Sequence, residues 1–174
     1  MEIDDIDLKI LALLQQDGRI SHTAVARLVD LSSPSVTARV QRMEREGLIR
    51  RYTALLNPSE VGQGLLAFVR VRTGASDDDS VAFERYAMQA AEVLECHDID
   101  GEDSYILKVR TRSTEELREL IVRLRSFPDV TRTITSIVLK TIREEPLTAP
   151  IGGDRRGETG PTFREISTGT GATR

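Results

Sequence analysis

The side chains that could act together chemically lie on a predicted helix between Ser32 and Gly47. The Ser32 hydroxyl can cap this helix by accepting a hydrogen bond from a first-turn N–H, and Gly47 is typical of a helix C-terminus. Val36, Val40 and Met43 recur at i, i+4 and i+7, which makes one apolar stripe. The opposite face carries hydroxyl, amide, methyl and guanidinium groups and no acid, so it could read base edges and grip phosphates.

We predict that this outward face contacts double-stranded DNA, with an ordinary solvated surface as the alternative. Arg39 lies nearer the apolar stripe, so an ion pair to a neighbouring helix and a phosphate contact are both open. Arg50 and Arg51 follow the helix and either touch the DNA backbone or are simply exposed. The predicted DNA-binding residues are Ser32, Ser33, Ser35, Thr37, Ala38, Gln41, Arg42 and Arg45.

Two earlier helices are needed to hold this face outward. Apolar residues at i, i+4, i+7 and i+8 predict an amphipathic helix from Asp4 to Gln16. A short second helix follows the potential cap Ser21, and Asp30 and Leu31 form a tight turn before the Ser32 helix. Two helices joined by a short turn predict a helix-turn-helix unit, so residues 1–50 are expected to form a three-helix DNA-binding domain.

The remaining chain predicts a second domain of mixed structure. A β-rich stretch at 48–56 suggests that residues 51–64 form a connecting strand or hinge. Residues 65–145 then follow the order strand, helix, strand, strand, helix, strand, which is the ferredoxin-like βαββαβ motif, so the fold class is α+β. The predicted strands and helices are 65–72, 83–90, 93–100, 104–110, 113–127 and 130–142.

Assembly and order are predicted from the same patterns. Two helices cover one face of such a sheet, and the other face is expected to carry many apolar groups and to need a cover. A second copy of the sheet is the economical cover, so we expect at least a homodimer. Residues 146–174 are rich in glycine, proline and threonine without periodicity and are expected to be a disordered tail.

Composition limits the function further. The 174 residues carry a net charge of −4, and no apolar run reaches the length of a membrane span, so we expect a cytoplasmic protein with no membrane partner. Cys96 is the only cysteine, and Cys96 and His97 should point to opposite faces of a strand, so no metal site and no cofactor are expected. His22 is expected to be solvated.

Five stretches of the chain follow the pattern of a known family. They are IDDIDLKILALLQQDGRIS (3–21), LSSPSVTARVQRMEREGLIRRY (31–52), NPSEVG (57–62), GEDSYILKVR (101–110) and TRTITSIVL (131–139). On these stretches the chain resembles the leucine-responsive/asparagine-regulator (Lrp/AsnC) family, the feast/famine transcriptional regulators. The resemblance covers about residues 3 to 143 and departs from the family pattern at Asp30, where glycine is usual, and at Ser104, where aspartate is frequent.

The resemblance implies sequence-specific DNA binding, dimers that assemble to octamers, and a small effector, usually an amino acid. It implies an effector site near the loop that joins the second and third predicted strands, which on the residues alone predicts an ordinary hairpin. The candidate effector residues of this loop are Gly101, Glu102, Asp103, Ser104 and Tyr105. Thr133 and Thr135 on the last strand either complete the cleft from another subunit or are ordinary strand residues. Loop N–H groups could hold a carboxylate, and Glu102 or Asp103 an ammonium. The alternatives are an amino-acid-sensing module acting through protein contacts and a metabolic enzyme on a ferredoxin-like fold.

Overall fold

The chain folds into two compact units that divide between Thr53 and Ala54. A computed structural model describes residues 2–74 and 77–144, so the predicted tail 146–174 lies outside the described residues. Within the described ranges, no helix is both long enough and apolar enough to cross a membrane.

The first unit is the predicted three-helix unit. Asp4 caps the first helix in a reciprocal capping box with Asp7, whereas Ser21 and Ser32 cap the second and third as predicted. Asp30 takes a left-handed conformation with φ of 55°, which lets the chain turn sharply between the second and third helices. The helices are α1 Asp5–Gln16, α2 His22–Val29 and α3 Ser33–Arg45.

The core of this unit fixes which side of α3 faces outward. The apolar stripe of α3 is fully buried, together with one fully buried apolar residue from each of the other two helices. Each such side chain contributes about 1.5–3 kcal/mol by leaving water. The fully buried apolar residues are Ile10, Val25, Val36, Val40 and Met43.

The second unit is the predicted βαββαβ fold. Its four strands form one antiparallel sheet in the order β2-β3-β1-β4, so the first strand lies in the middle. The elements are β1 Leu65–Thr73, α4 Asp77–Gln89, β2 Val93–Asp98, β3 Tyr105–Thr111, α5 Thr114–Arg125 and β4 Val130–Ile137. The α+β fold class is therefore confirmed.

Alternation along the strands separates the two faces of the sheet. Val69 and Leu107 pair across β1 and β3 and are fully buried against the apolar residues of α4 and α5. The opposite face mixes apolar and charged side chains, so it is less apolar than predicted. By register, that open face carries Leu66, Phe68, Arg70, Arg72, Ile106, Lys108, Arg110, Arg132, Ile134 and Ser136.

Three local predictions are wrong. Of the two alternatives for the stretch at 48–56, a connecting strand or a hinge, the strand is wrong, because the described residues give its backbone groups no strand partner. The last strand ends at Ile137 rather than at 142, although the Val138 N–H still donates to the Leu66 carbonyl of β1 at 2.9 Å. α4 begins at Asp77, ahead of the predicted helix at 83–90.

Candidate functional site

The outward face of α3 is exposed, as its helical spacing predicts. Ser35, Ala38, Gln41 and Arg45 are all exposed along it, whereas Ser33 is half-buried. At the cap, the Ser32 and Ser35 hydroxyls lie 2.8 Å apart, so they form a polar N-terminus for the helix. This arrangement presents a polar edge that ends in an amide and a guanidinium group.

Two of the predicted contact residues also bond to α2. Thr37 Oγ1 lies 2.9 Å from Nδ1 of His22, and the Ser33 hydroxyl lies 3.4 Å from that of Thr23. His22 is half-buried, so the expectation that it is solvated is wrong. The two hydrogen bonds tie the starts of α2 and α3 together and orient the Thr37 hydroxyl.

Acids of α1 hold the arginines on the flank of α3. Arg39 Nη1 donates to Asp4 at 2.7 Å and to Asp7 at 2.8 Å, and Arg42 Nη2 donates to Asp7 at 2.5 Å. Of the two alternatives for Arg39, the structure therefore contains the ion pair to a neighbouring helix. The expectation that Arg42 points away from the domain is wrong, because its guanidinium turns back to a buried carboxylate. Its role at DNA stays a prediction.

Sequence reasoning missed Asp4 and Asp7 as functional residues. The signal was present, because Asp7 lies three residues before Ile10 and so shares the buried stripe of α1. An acid on a buried stripe needs a basic partner, since an isolated charge is costly away from water. Arginines one turn apart on a neighbouring helix are suitable partners.

The loop between β2 and β3 is a tight polar corner, and the predicted hairpin is confirmed. Gly101 has a φ of 137°, which favours glycine, and Glu102 is exposed. Asp103 is buried, with Oδ2 at 3.5 Å from Arg70 Nη1 and with Oδ1 lacking a partner among the described residues. The corner therefore offers one buried carboxylate oxygen to a donor.

Ser104 joins this corner to the end of β1. Its N–H donates to the Val71 carbonyl at 2.8 Å, and its hydroxyl accepts from the N–H and the hydroxyl of Thr73 at 3.1 and 3.0 Å. Nε of Arg72 also donates to the carbonyl of Glu102. Arg70 and Arg72 were not predicted as parts of this corner, because pairing of β1 with β3 had to be known first.

Tyr105 directly follows this corner, but its side chain is engaged elsewhere. Tyr105 is buried with its ring 4.9 Å from that of Phe83, and its hydroxyl donates to Glu84. Burial, helped by that hydrogen bond, raises the pKa of Tyr105 to about 12. Thr133 and Thr135 sit on β4, and Thr133 accepts from Arg125 Nε at 2.7 Å. Within one protomer these threonines are separated from β3 by β1.

Comparison with known proteins identifies both units. A family described as the Lrp/AsnC ligand binding domain matches residues 66–148, and one described as winged helix-turn-helix DNA-binding matches residues 3–50. The leucine-responsive regulatory protein of Escherichia coli K12 is 36% identical over 147 residues, with 82% of this chain and 88% of that protein covered. The chain belongs to the Lrp/AsnC family of transcriptional regulators. An Lrp/AsnC protein is a DNA-binding regulator and not an enzyme, so the enzyme alternative is wrong.

Other relatives and solved structures agree with this membership. The regulator FL11 of Pyrococcus abyssi is 31% identical over 144 residues, covering 83% of this chain and 94% of that protein. A transcriptional regulator of Neisseria meningitidis, solved as a complex with L-methionine, matches with a TM-score of 0.80 and 32% identity over 83% of this chain and 95% of that one. A feast or famine regulatory protein of M. tuberculosis complexed with L-methionine matches with a TM-score of 0.76 and 34% identity over 86% and 100%.

The ion pairs between α1 and α3 predict an acid-dependent stability. A hydrogen bond from the Asp7 N–H, followed by the bond from Arg39, holds the pKa of Asp4 below its usual 3.8. The unfolded chain therefore takes up this proton first, so the stabilisation is present above pH 3.8 and is lost as pH falls through the lowered value. Asp4→Asn keeps a good helix cap but removes the charge.

We expect Asp4→Asn to melt at a lower temperature than wild type at neutral pH, with the difference closing at acid pH. Thermal unfolding followed by circular dichroism measures it. Asp5→Asn is the matched control, because Asp5 is exposed in the same turn. A difference that stays constant down to the acid limit would contradict the ion-pair explanation.

Proposed function

We propose that α3 reads double-stranded DNA through its outward face, with residues 1–50 as the DNA-binding domain. The observation that carries this is the exposed polar edge of α3 that ends at Gln41 and Arg45. Glu44, the acid of α3 that precedes Arg45, accepts a hydrogen bond from the Tyr52 hydroxyl at 3.0 Å. The proposed contacts are Ser32, Ser33, Ser35, Thr37, Ala38, Gln41 and Arg45, whereas the predicted contact Arg42 is paired with Asp7.

Base reading by Gln41 can be distinguished from phosphate binding by comparing two duplexes. Gln41→Ala should weaken binding to a selected duplex by roughly 1–3 kcal/mol, because glutamine suits the hydrogen-bonding edge of adenine. It should leave binding to a random duplex nearly unchanged, since phosphates are sequence-independent. Fluorescence anisotropy on both duplexes measures this. Lys9→Gln on the exposed part of α1 is the control, and equal losses on both duplexes would remove Gln41 from base reading.

We also propose that residues 65–145 form an effector-binding and oligomerisation domain, joined by residues 51–64, and that the effector is an amino acid. Two related structures contain L-methionine. The buried Asp103 offers a carboxylate oxygen that has no partner among the described residues and that suits an ammonium group. The proposed residues are Gly101, Glu102, Asp103, Ser104 and Tyr105, with Thr133 and Thr135 from another subunit.

A thermal-shift screen of the twenty amino acids tests this site. An amino acid at 100 times its dissociation constant should stabilise the protein by about 2.7 kcal/mol. Asp103→Asn should lose most of that stabilisation, because the amide presents no charge to the ammonium. Glu95→Gln, an exposed residue of β2, is the control. If Asp103→Asn is stabilised as strongly as wild type, the effector binds elsewhere.

The proposed assembly is a homodimer through the open sheet face, with octamers as the higher assembly that the family resemblance implies. On this face, Phe68 is 36% exposed at the middle of the central strand. A second copy would remove it from water, and a DNA-binding regulator reads paired half-sites most simply as a dimer. The proposed place of action is the cytoplasm.

Charge placed at the centre of the open face should break the dimer. Phe68→Glu should lower the molar mass measured by light scattering at micromolar concentration, because it replaces an apolar side chain by a carboxylate that each copy would have to withdraw from water at the interface. Met88→Glu, on a side chain of α4 that is 80% exposed, should leave the mass unchanged. A Phe68→Glu protein of wild-type mass would exclude this face as the interface.

A further inference from the structure

A buried carboxylate receives two arginines of the DNA-contacting helix. The side chain of Asp7 is 1% exposed, whereas those of Arg39 and Arg42 are 27% and 37% exposed. The Asp7 N–H in turn donates to the Asp4 carboxylate at 2.8 Å. The acid is therefore inside the domain, and both guanidinium groups lie between it and the solvent.

The pairing removes most of the free positive charge from α3. Its three arginines are Arg39, Arg42 and Arg45, and the first two face acids of α1. Within the described part of the first unit, Arg45 has no acid partner and is exposed. On charge alone, α3 offers one unneutralised guanidinium to a DNA phosphate rather than three.

We propose that Asp4 and Asp7 act as internal substitutes for DNA phosphates, which keep Arg39 and Arg42 from binding the DNA backbone without regard to sequence. This inference rests on the proposed function of α3. A carboxylate and a phosphate oxygen accept from a guanidinium in the same way, so they compete for it. Asp7 is buried and cannot move toward DNA with its two arginines. If both arginines turned to phosphates, the Asp7 carboxylate would remain buried without a partner, which is strongly unfavourable.

The consequence is a gain in discrimination between sites. Phosphate contacts supply essentially all non-specific affinity, and base-edge contacts supply sequence information. Withholding two guanidinium groups therefore lowers binding to any sequence, while Gln41 and the hydroxyl groups of α3 keep their access to bases. Asp4 and Asp7 thus act as specificity-determining residues that never touch DNA.

The salt dependence of binding to a random duplex tests the proposal. Each additional phosphate contact steepens the slope of log affinity against log salt by about 0.9. Asp7→Asn is expected to steepen it by about that amount for each bound protomer, so that the ratio of affinities at about 50 and 200 mM salt grows about 3.5-fold per protomer, or about 12-fold for the proposed dimer. Asp7→Asn with Arg42→Gln should restore the wild-type slope. Asp5→Asn is the matched control, because Asp5 is an exposed acid in the same first turn of α1.

A second comparison keeps Asp7 in place, so it remains decisive if Asp7→Asn does not fold. Arg45→Gln should flatten the slope by about 0.9, whereas Arg42→Gln should not flatten it, because that guanidinium is already neutralised. Equal flattening by both would overturn the proposal, as would a folded Asp7→Asn protein with an unchanged slope. A wild-type protein that binds no duplex, specific or random, would instead contradict the proposed function.

Discussion

A carboxylate enclosed by protein must have partners, and this requirement fixes how the first unit is built. Asp7 is completely buried, and its oxygens are satisfied by guanidinium groups of α3. Burial of Val36 and Val40 sets which side of α3 faces the core, but apolar contact is non-directional and leaves the rotation of the helix loosely defined. The ion pairs define it more closely, because their donors must meet a single small group. The core and the ion pairs together therefore hold the polar edge of α3 outward.

In the second unit, the central strand has the corresponding role. β1 pairs with both β3 and β4, so its alternation sets which residues of three strands face the helices. The same register brings Arg70 and Arg72 beside the β2–β3 corner, whose Asp103 would otherwise be a buried acid without a nearby cation. One strand thus carries the core, the open face and one wall of the proposed effector site.

The sequence predicts the features that depend on local periodicity. It does not predict those that are determined by residues distant in the chain. The stripe of α3 and the βαββαβ order follow from spacing alone, and both are confirmed. The direction of Arg42 could not be read from its helical angle, because a long side chain can reach back around the helix to an acid 35 residues away. The bond between His22 and Thr37 also depends on partners that are remote in sequence.

The left-handed turn at Asp30 has a consequence for how this regulator can vary. A side chain with a β-carbon is strained there by up to about 1 kcal/mol relative to glycine, although aspartate tolerates the conformation better than most residues. Asp30 is exposed and belongs neither to the apolar core nor to the proposed DNA-contacting residues of α3. Exchange between aspartate and glycine at this one residue would therefore adjust the melting temperature of the domain while its recognition chemistry stayed the same.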